Sequence, residues 1–134
     1  MDKKTTDMLI EAAIAARARS YCPYSSFAVG AALLTKEGKI YTGANIECSS
    51  HTPTACAERV AFSRAVHEGE RDFSAIAVVG GPKDEPISFV CSPCGVCRQV
   101  MSEFCADGFE IILYDGKTAS IYTLEELLPL RFGL

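Results

Sequence analysis

The chain sets Cys56 two residues before Glu58 and, well downstream, carries the run Pro93-Cys94-Gly95-Val96-Cys97. Thiols so far apart act together only if the fold closes the intervening segment onto one point, so this pattern limits the topologies open to the chain. Cys94 and Cys97, three apart on the first turn of a helix, share one face and can grip one ion. Cys56 supplies a third sulfur. Structural zinc usually takes four protein ligands, whereas a catalytic zinc keeps three and leaves a position for water. Three thiolates with a carboxylate beside one of them suit the catalytic arrangement.

With 134 residues the chain fits one domain spanning 1–134. Lys and Arg number 13 against 17 Asp and Glu, a formal charge of −4, and the basic residues are scattered. That argues against nucleic acid or an anionic membrane as a partner. Met1-Asp2-Lys3-Lys4 leads directly into a mixed pattern, with neither a signal-peptide core nor a membrane-length apolar run. The expectation is a soluble cytoplasmic protein. Seven cysteines would suit a secreted disulfide framework, but that class needs an export signal. Cys22, Cys48, Cys91 and Cys105 read instead as small buried or half-buried side chains.

Leu9, Ala12, Ala13 and Ala16 recur at helical spacing and predict a helix from about Thr6 to Ser20, with Arg17 and Arg19 complementing its C-terminal dipole. Phe27 to Thr35 and Ile40 to Asn45 read as a hairpin turned at Lys36-Glu37-Gly38-Lys39. A helix from about Cys56 to His67 follows, then a central strand from Phe73 to Val79 stopped by Gly80-Gly81-Pro82. Ile87 to Cys91 reads as a short strand or extended piece, and Cys94 to Cys105 as a helix. Ile111 to Tyr114 and Ala119 to Tyr122 flank the turn signal Asp115-Gly116, and Thr123 with Glu126 forms a capping box for a short last helix. Strands alternating with helices imply an α/β layered domain on a mixed sheet.

Helix N-termini favour thiolates, so two of them aimed at one point make a metal site. Zinc with three thiolates is one unit negative, and Arg59 and Arg98, each one residue beyond a site residue, are placed to donate to sulfur. Two other readings use Cys91. A ferredoxin-type cluster needs a fourth cysteine where Met101 stands. A closed four-cysteine zinc site would make a non-catalytic module, but Cys91 ends an apolar run and is expected to face the core. His51 is a further spare ligand, although a zinc closed by four protein ligands would leave Glu58 without a task.

Cys-Ala-Glu followed by Pro-Cys-x-x-Cys is the signature of zinc nucleobase deaminases, with Cys in place of His. Across nearly the whole chain the segments SYCPYSSFAVGAALLT, GANIE, CAERVAF, AIAVVGG, SPCGVCRQVMSEF and EELLP resemble, in order, the small cytidine deaminases. The resemblance implies a three-layer α/β/α fold around a five-stranded mixed sheet, one zinc per chain, and a homotetramer with sites shared between subunits. It implies hydrolytic deamination of cytidine and 2′-deoxycytidine, with Cys56, Cys94 and Cys97 holding zinc and Glu58 shuttling protons.

By the same resemblance Asn45 and Glu47 hold the ribose hydroxyls, Ala57 contributes to substrate binding and Phe27 lines the pyrimidine pocket. Phe132 arrives from a neighbouring subunit. Unaided by that likeness, Asn45 would read as a turn residue and each Phe as core. Two positions depart from the family pattern. His51 stands where many relatives carry Tyr, and Arg131 where a small residue is common. A related deaminase acting on another aminonucleoside is the alternative reading of the same metal chemistry.

Overall fold

The computed structural model describes residues 1–134. Helix α1 spans Lys3–Arg17, strand β1 Phe27–Thr35, β2 Ile40–Ala44, helix α2 Ala57–His67, and β3 Phe73–Pro82. Helix α3 follows at Gly95–Phe104, then β4 Glu110–Tyr114, β5 Ala119–Thr123 and the short α4 Leu124–Leu127. The five strands lie in the order β2-β1-β3-β4-β5. β3 and β4 are parallel, joined across α3, and every other pair is antiparallel, so the sheet is mixed as expected.

Strand side chains alternate between two faces, and each face has its own apolar partners. Ala32, Ala75, Ala77, Val79 and Ile112 meet Leu9, Ile10 and Ala13 of α1. Ala31, Leu33, Ile76, Val78, Ile111 and Leu113 meet Ala57, Ala61, Phe62 and Ala65 of α2 and Met101 of α3. The result is the three-layer α/β/α arrangement. Helices α2 and α3, with Cys56 and Cys94 at their N-termini, lie on one face of the sheet, and α1 covers the other.

α1 begins three residues earlier than its apolar pattern suggests, because the Asp2 side chain accepts from the Thr5 N–H at 2.7 Å and caps the helix. It ends at Arg17, whose guanidinium donates to the carbonyls of Ala28, Gly81, Pro82 and Glu85 and ties the helix to β1 and β3. β3 continues through Gly80 and Gly81 where those glycines were expected to end it. A Cβ on Gly80 would stand only 2.7 Å from Cys91 Sγ, so the glycine keeps the strand paired while a neighbouring chain crosses it. Ile87 to Cys91 forms no strand, bends at Phe89 and lies outside the sheet. The capping box of α4 forms, with Thr123 and Glu126 satisfying each other's backbone N–H groups. No helix is long and apolar enough to cross a membrane.

Candidate metal centre

Cys56 and Cys94 are the N-cap residues of α2 and α3, so each sulfur sits where unpaired N–H groups and the helix dipole favour negative charge. Cys94 Sγ accepts from the Cys97 N–H at 3.5 Å, which closes the first turn of α3 around Cys97. The sulfurs of Cys56, Cys94 and Cys97 all lie within 4.8 Å of one another, and Cys56 Sγ and Cys94 Sγ are 3.9 Å apart. Tetrahedral Zn–S bonds of about 2.3 Å set their sulfurs about 3.8 Å apart, so the cluster fits zinc closely.

Electrostatics agree with the geometry. The neighbouring Cys97 thiol, then Arg59 and Cys94, hold the Cys56 thiol down at about 5 against the opposing effect of burial. Cys97 is pushed the other way by its bond to Cys56 and by burial, so the cluster carries a shared thiol–thiolate contact. Arg59 Nη2 donates to Cys56 Sγ at 3.6 Å and to the Thr54 carbonyl at 3.1 Å. Arg98 does otherwise than expected. Its Nε bonds the Pro93 carbonyl at 2.8 Å and its Nη1 the Leu127 carbonyl at 2.6 Å, so it braces the entrance to α3 against α4 and donates to carbonyls, not to sulfur.

Glu58 lies on the first turn of α2 with only 4% of its surface exposed, and burial, reinforced by the Cys56 charge, raises its carboxyl above the ordinary range. Ala57, between Cys56 and Glu58, is wholly buried and its methyl belongs to the core, so only its backbone remains for any ligand. Cys91 stands outside the sulfur cluster, half-buried against Gly80, and burial pushes its thiol up to about 11. That is the packing position its apolar run implied.

The residues assigned to the sugar are held by β1 and the loop before it. Asn45 is buried; its Oδ1 accepts from the Val29 N–H at 2.9 Å and its Nδ2 donates to the Phe27 carbonyl at 2.8 Å. Glu47 accepts from the N–H groups of Tyr24 and Ser25 and from the Ser25 hydroxyl, and these bonds, the hydroxyl's first, hold its carboxyl below the usual range. With Tyr24, Ser25, His51 and Thr54 it borders a cleft of about 290 Å³. His51 adopts φ 64° at the edge of that cleft.

Phe27 is half-buried at the head of β1, its ring centroid 6.1 Å from that of Phe89. Phe89 and the Glu47–Ser25 clamp are not evident from the sequence. Phe89 sits in an apolar run that reads as a strand, and Ser25 in a stretch that reads as a turn. Phe132 is 67% exposed, with its carbonyl bonded by Gln99 Nε2 at 3.1 Å.

The profile of the cytidine and deoxycytidylate deaminase zinc-binding region matches residues 3–112. The chain belongs to this family. It is 50% identical over 127 residues to a cytidine deaminase of Halalkalibacterium halodurans, covering 93% of this chain and 92% of that one. It is 39% identical over 107 residues to a blasticidin-S deaminase of Bacillus cereus, covering 78% and 76%. The crystal structure of cytidine deaminase from Burkholderia pseudomallei superposes with TM-score 0.85 at 42% identity, covering 98% of this chain and all of that one. The deaminase fold and the three-cysteine cluster together identify a zinc site of one ion per chain.

Proposed function

We propose that this protein hydrolyses cytidine and 2′-deoxycytidine to uridine and 2′-deoxyuridine with release of ammonia, as a cytoplasmic enzyme of pyrimidine salvage. The observation that carries this reading is the meeting of three thiols at two helix N-termini with the buried Glu58 carboxyl on the same first turn. Cys56, Cys94 and Cys97 hold zinc, which supplies the Lewis acidity that makes water a nucleophile at neutral pH.

Glu58 moves the protons. Its carboxylate takes one from the attacking water and passes it to ring nitrogen N3, which makes C4 electrophilic. Glu58 then takes the proton of the new C4 hydroxyl and delivers it to the amine, so that the C4–N bond breaks, ammonia leaves and the C4 carbonyl forms. Both tasks need a carboxyl poised towards neutrality, the direction in which burial pushes it. Arg59 offsets the excess thiolate charge at Cys56.

Asn45 keeps one amide hydrogen and one lone pair beyond its bonds to β1, and Glu47 keeps one of about four acceptor sites beyond its loop bonds. Both are thus oriented by protein partners and still able to meet a sugar hydroxyl. Phe27 lines the base pocket, and Phe132 enters a neighbouring copy's site in a homotetramer.

The blasticidin-S deaminase relative favours one competing substrate, blasticidin S. An absorbance assay of cytidine, free cytosine and blasticidin S, with zinc measured on the same sample, separates the readings. Cytidine is expected to be deaminated by protein holding one zinc per chain. Cys56→Ala should lose metal and activity together, while Cys91→Ala keeps both. A zinc-loaded protein inert to cytidine but active on blasticidin S would overturn the nucleoside assignment.

A further inference from the structure

Between β3 and α3 the chain carries two adjacent apolar residues, Phe89 and Val90, that are 44% and 43% exposed and find no place in either core. The segment is nonetheless fixed at both ends. Upstream, the Ile87 carbonyl crosses Gly116 so closely that a Cβ there would stand 2.1 Å from its oxygen. Downstream, a Cβ at Gly80 would stand 2.7 Å from Cys91 Sγ and 3.1 Å from Val29 Cγ2. Gly116 in the turn between β4 and β5 and Gly80 in β3 therefore admit this backbone on either side of Phe89.

The Phe89 ring meets Phe27 at 6.1 Å between centroids and 44° between planes, within the range of favourable aromatic pairs. Phe27 begins the β1 row that continues through Val29, Ala31 and Leu33, and the last three face α2 and α3. Phe27 lies on that same face by the period of the strand. The Phe27 carbonyl also accepts from Asn45. Past Cys91, the same segment runs through Pro93 directly into the metal ligand Cys94. Phe89 thus joins the head of β1 to the approach to α3, on the face that holds the metal centre.

We propose that Phe89 is a positioning residue for the deamination reaction: it packs on Phe27 and fixes that ring as the wall against which the pyrimidine lies. This rests on the cytidine reading above and deepens it by naming a residue that sets base affinity. A prop of this kind acts on substrate binding and leaves the proton transfers of Glu58 untouched. Loss of one aromatic pair corresponds to about a two- to tenfold change in affinity.

The test is steady-state kinetics on cytidine for wild type, Phe89→Ala, Phe89→Leu and Phe89→Tyr, each with zinc content measured. Phe89→Ala is expected to raise KM about two- to tenfold with kcat held within about twofold and zinc at one per chain. Phe89→Tyr restores the ring and the KM; Phe89→Leu falls between. Phe89→Ala combined with Phe27→Ala should raise KM less than the two single changes predict, since they remove one contact. An active wild type with unchanged KM in Phe89→Ala overturns this proposal alone, and zinc-loaded wild type inert to cytidine overturns both it and the activity it rests on. Loss of zinc from Phe89→Ala and Phe89→Leu, or a fall in kcat at constant KM, would make the residue a structural support and also overturn it. Should Phe89→Ala fail to fold, the graded KM of the Leu and Tyr variants decides.

Discussion

Glu58 and Glu47 are two carboxylates whose surroundings pull them in opposite directions. Glu58 is buried beside thiols and raised; Glu47 collects donors from Tyr24 and Ser25 and is lowered. Glu58→Gln is nearly isosteric and should keep zinc and bind nucleoside, yet lose about 10⁴ in kcat because one group serves both proton transfers. A variant keeping a tenth of the parental kcat would remove Glu58 from this role. For Glu47 the sign follows from its lowered value. Its contribution to stability is complete above the ordinary carboxyl value of 4.5 and is lost as pH falls through the lower folded value. Urea midpoints of wild type and Glu47→Gln should therefore differ by a constant amount near neutrality and converge below pH 4.5; a gap independent of pH would show that its loop bonds do not favour the charged form. The sulfur cluster was legible only in part: Cys94 and Cys97 stand three apart at a helix start, but Cys91 shares that spacing, and only the fold sets it aside and brings Cys56 in. The two arginines were not legible: Arg59 and Arg98 occupy equivalent places in sequence, and only the position of α4, which offers the Leu127 carbonyl, sends Arg98 elsewhere.

The elements that place the site depend on a close approach of helix to strand. On β2, a Cβ at Gly43 would stand 2.4 Å from the Ala57 carbonyl oxygen and 2.6 Å from the Ala61 nitrogen. Ala57 lies between Cys56 and Glu58, so whatever displaces α2 from β2 moves a metal ligand and the proton carrier together. Gly43→Ala should cost about 1–3 kcal/mol of stability and weaken zinc binding, read by thermal melts and chelator competition. Gly108→Ala, where a Cβ meets nothing within 4 Å, serves as the control and should change stability by less than about 0.5 kcal/mol. Normal metal affinity in a destabilised Gly43→Ala would show that α2 tolerates displacement without disturbing its N-cap. Helices, strands and the α4 capping box were readable because periodicity and capping are local signals. The extension of β3 through Gly80 and Gly81 was not. Glycines end a strand on local grounds, and only the crossing of Cys91, brought in by tertiary structure, makes a glycine the residue that lets the strand continue. The same holds for Ile87 to Cys91, whose apolar side chains suggest a strand but whose backbone finds no partner in the sheet.

At the scale of the whole molecule, the single chain leaves an apolar C-terminal segment uncovered. Leu130, Phe132 and Leu134 are all exposed beyond α4, an arrangement that leaves apolar area in water unless another surface covers it. The tail is nevertheless directed. Arg131 Nη1 donates to the Cys105 carbonyl at 2.9 Å and its Nη2 pairs with Asp107 at 3.3 Å, while Gln99 holds the Phe132 carbonyl. Arg131 thus anchors the segment to the end of α3, and the Phe132 ring stays largely exposed. A fixed backbone with a free aromatic ring is suited to insertion into a second copy, because little ordering cost remains at association. In the proposed tetramer, Phe132→Ala should raise KM for cytidine with zinc still bound at one per chain. Arg131→Ala should do the same by loosening the anchor, without touching the ring. Deleting Leu130 to Leu134 should impair catalysis at temperatures where the fold is intact. Sedimentation and kinetics on the same samples decide the matter: a fully active monomer, or cytidine kinetics unchanged by Phe132→Ala and by the deletion, would rule out sites completed across subunits.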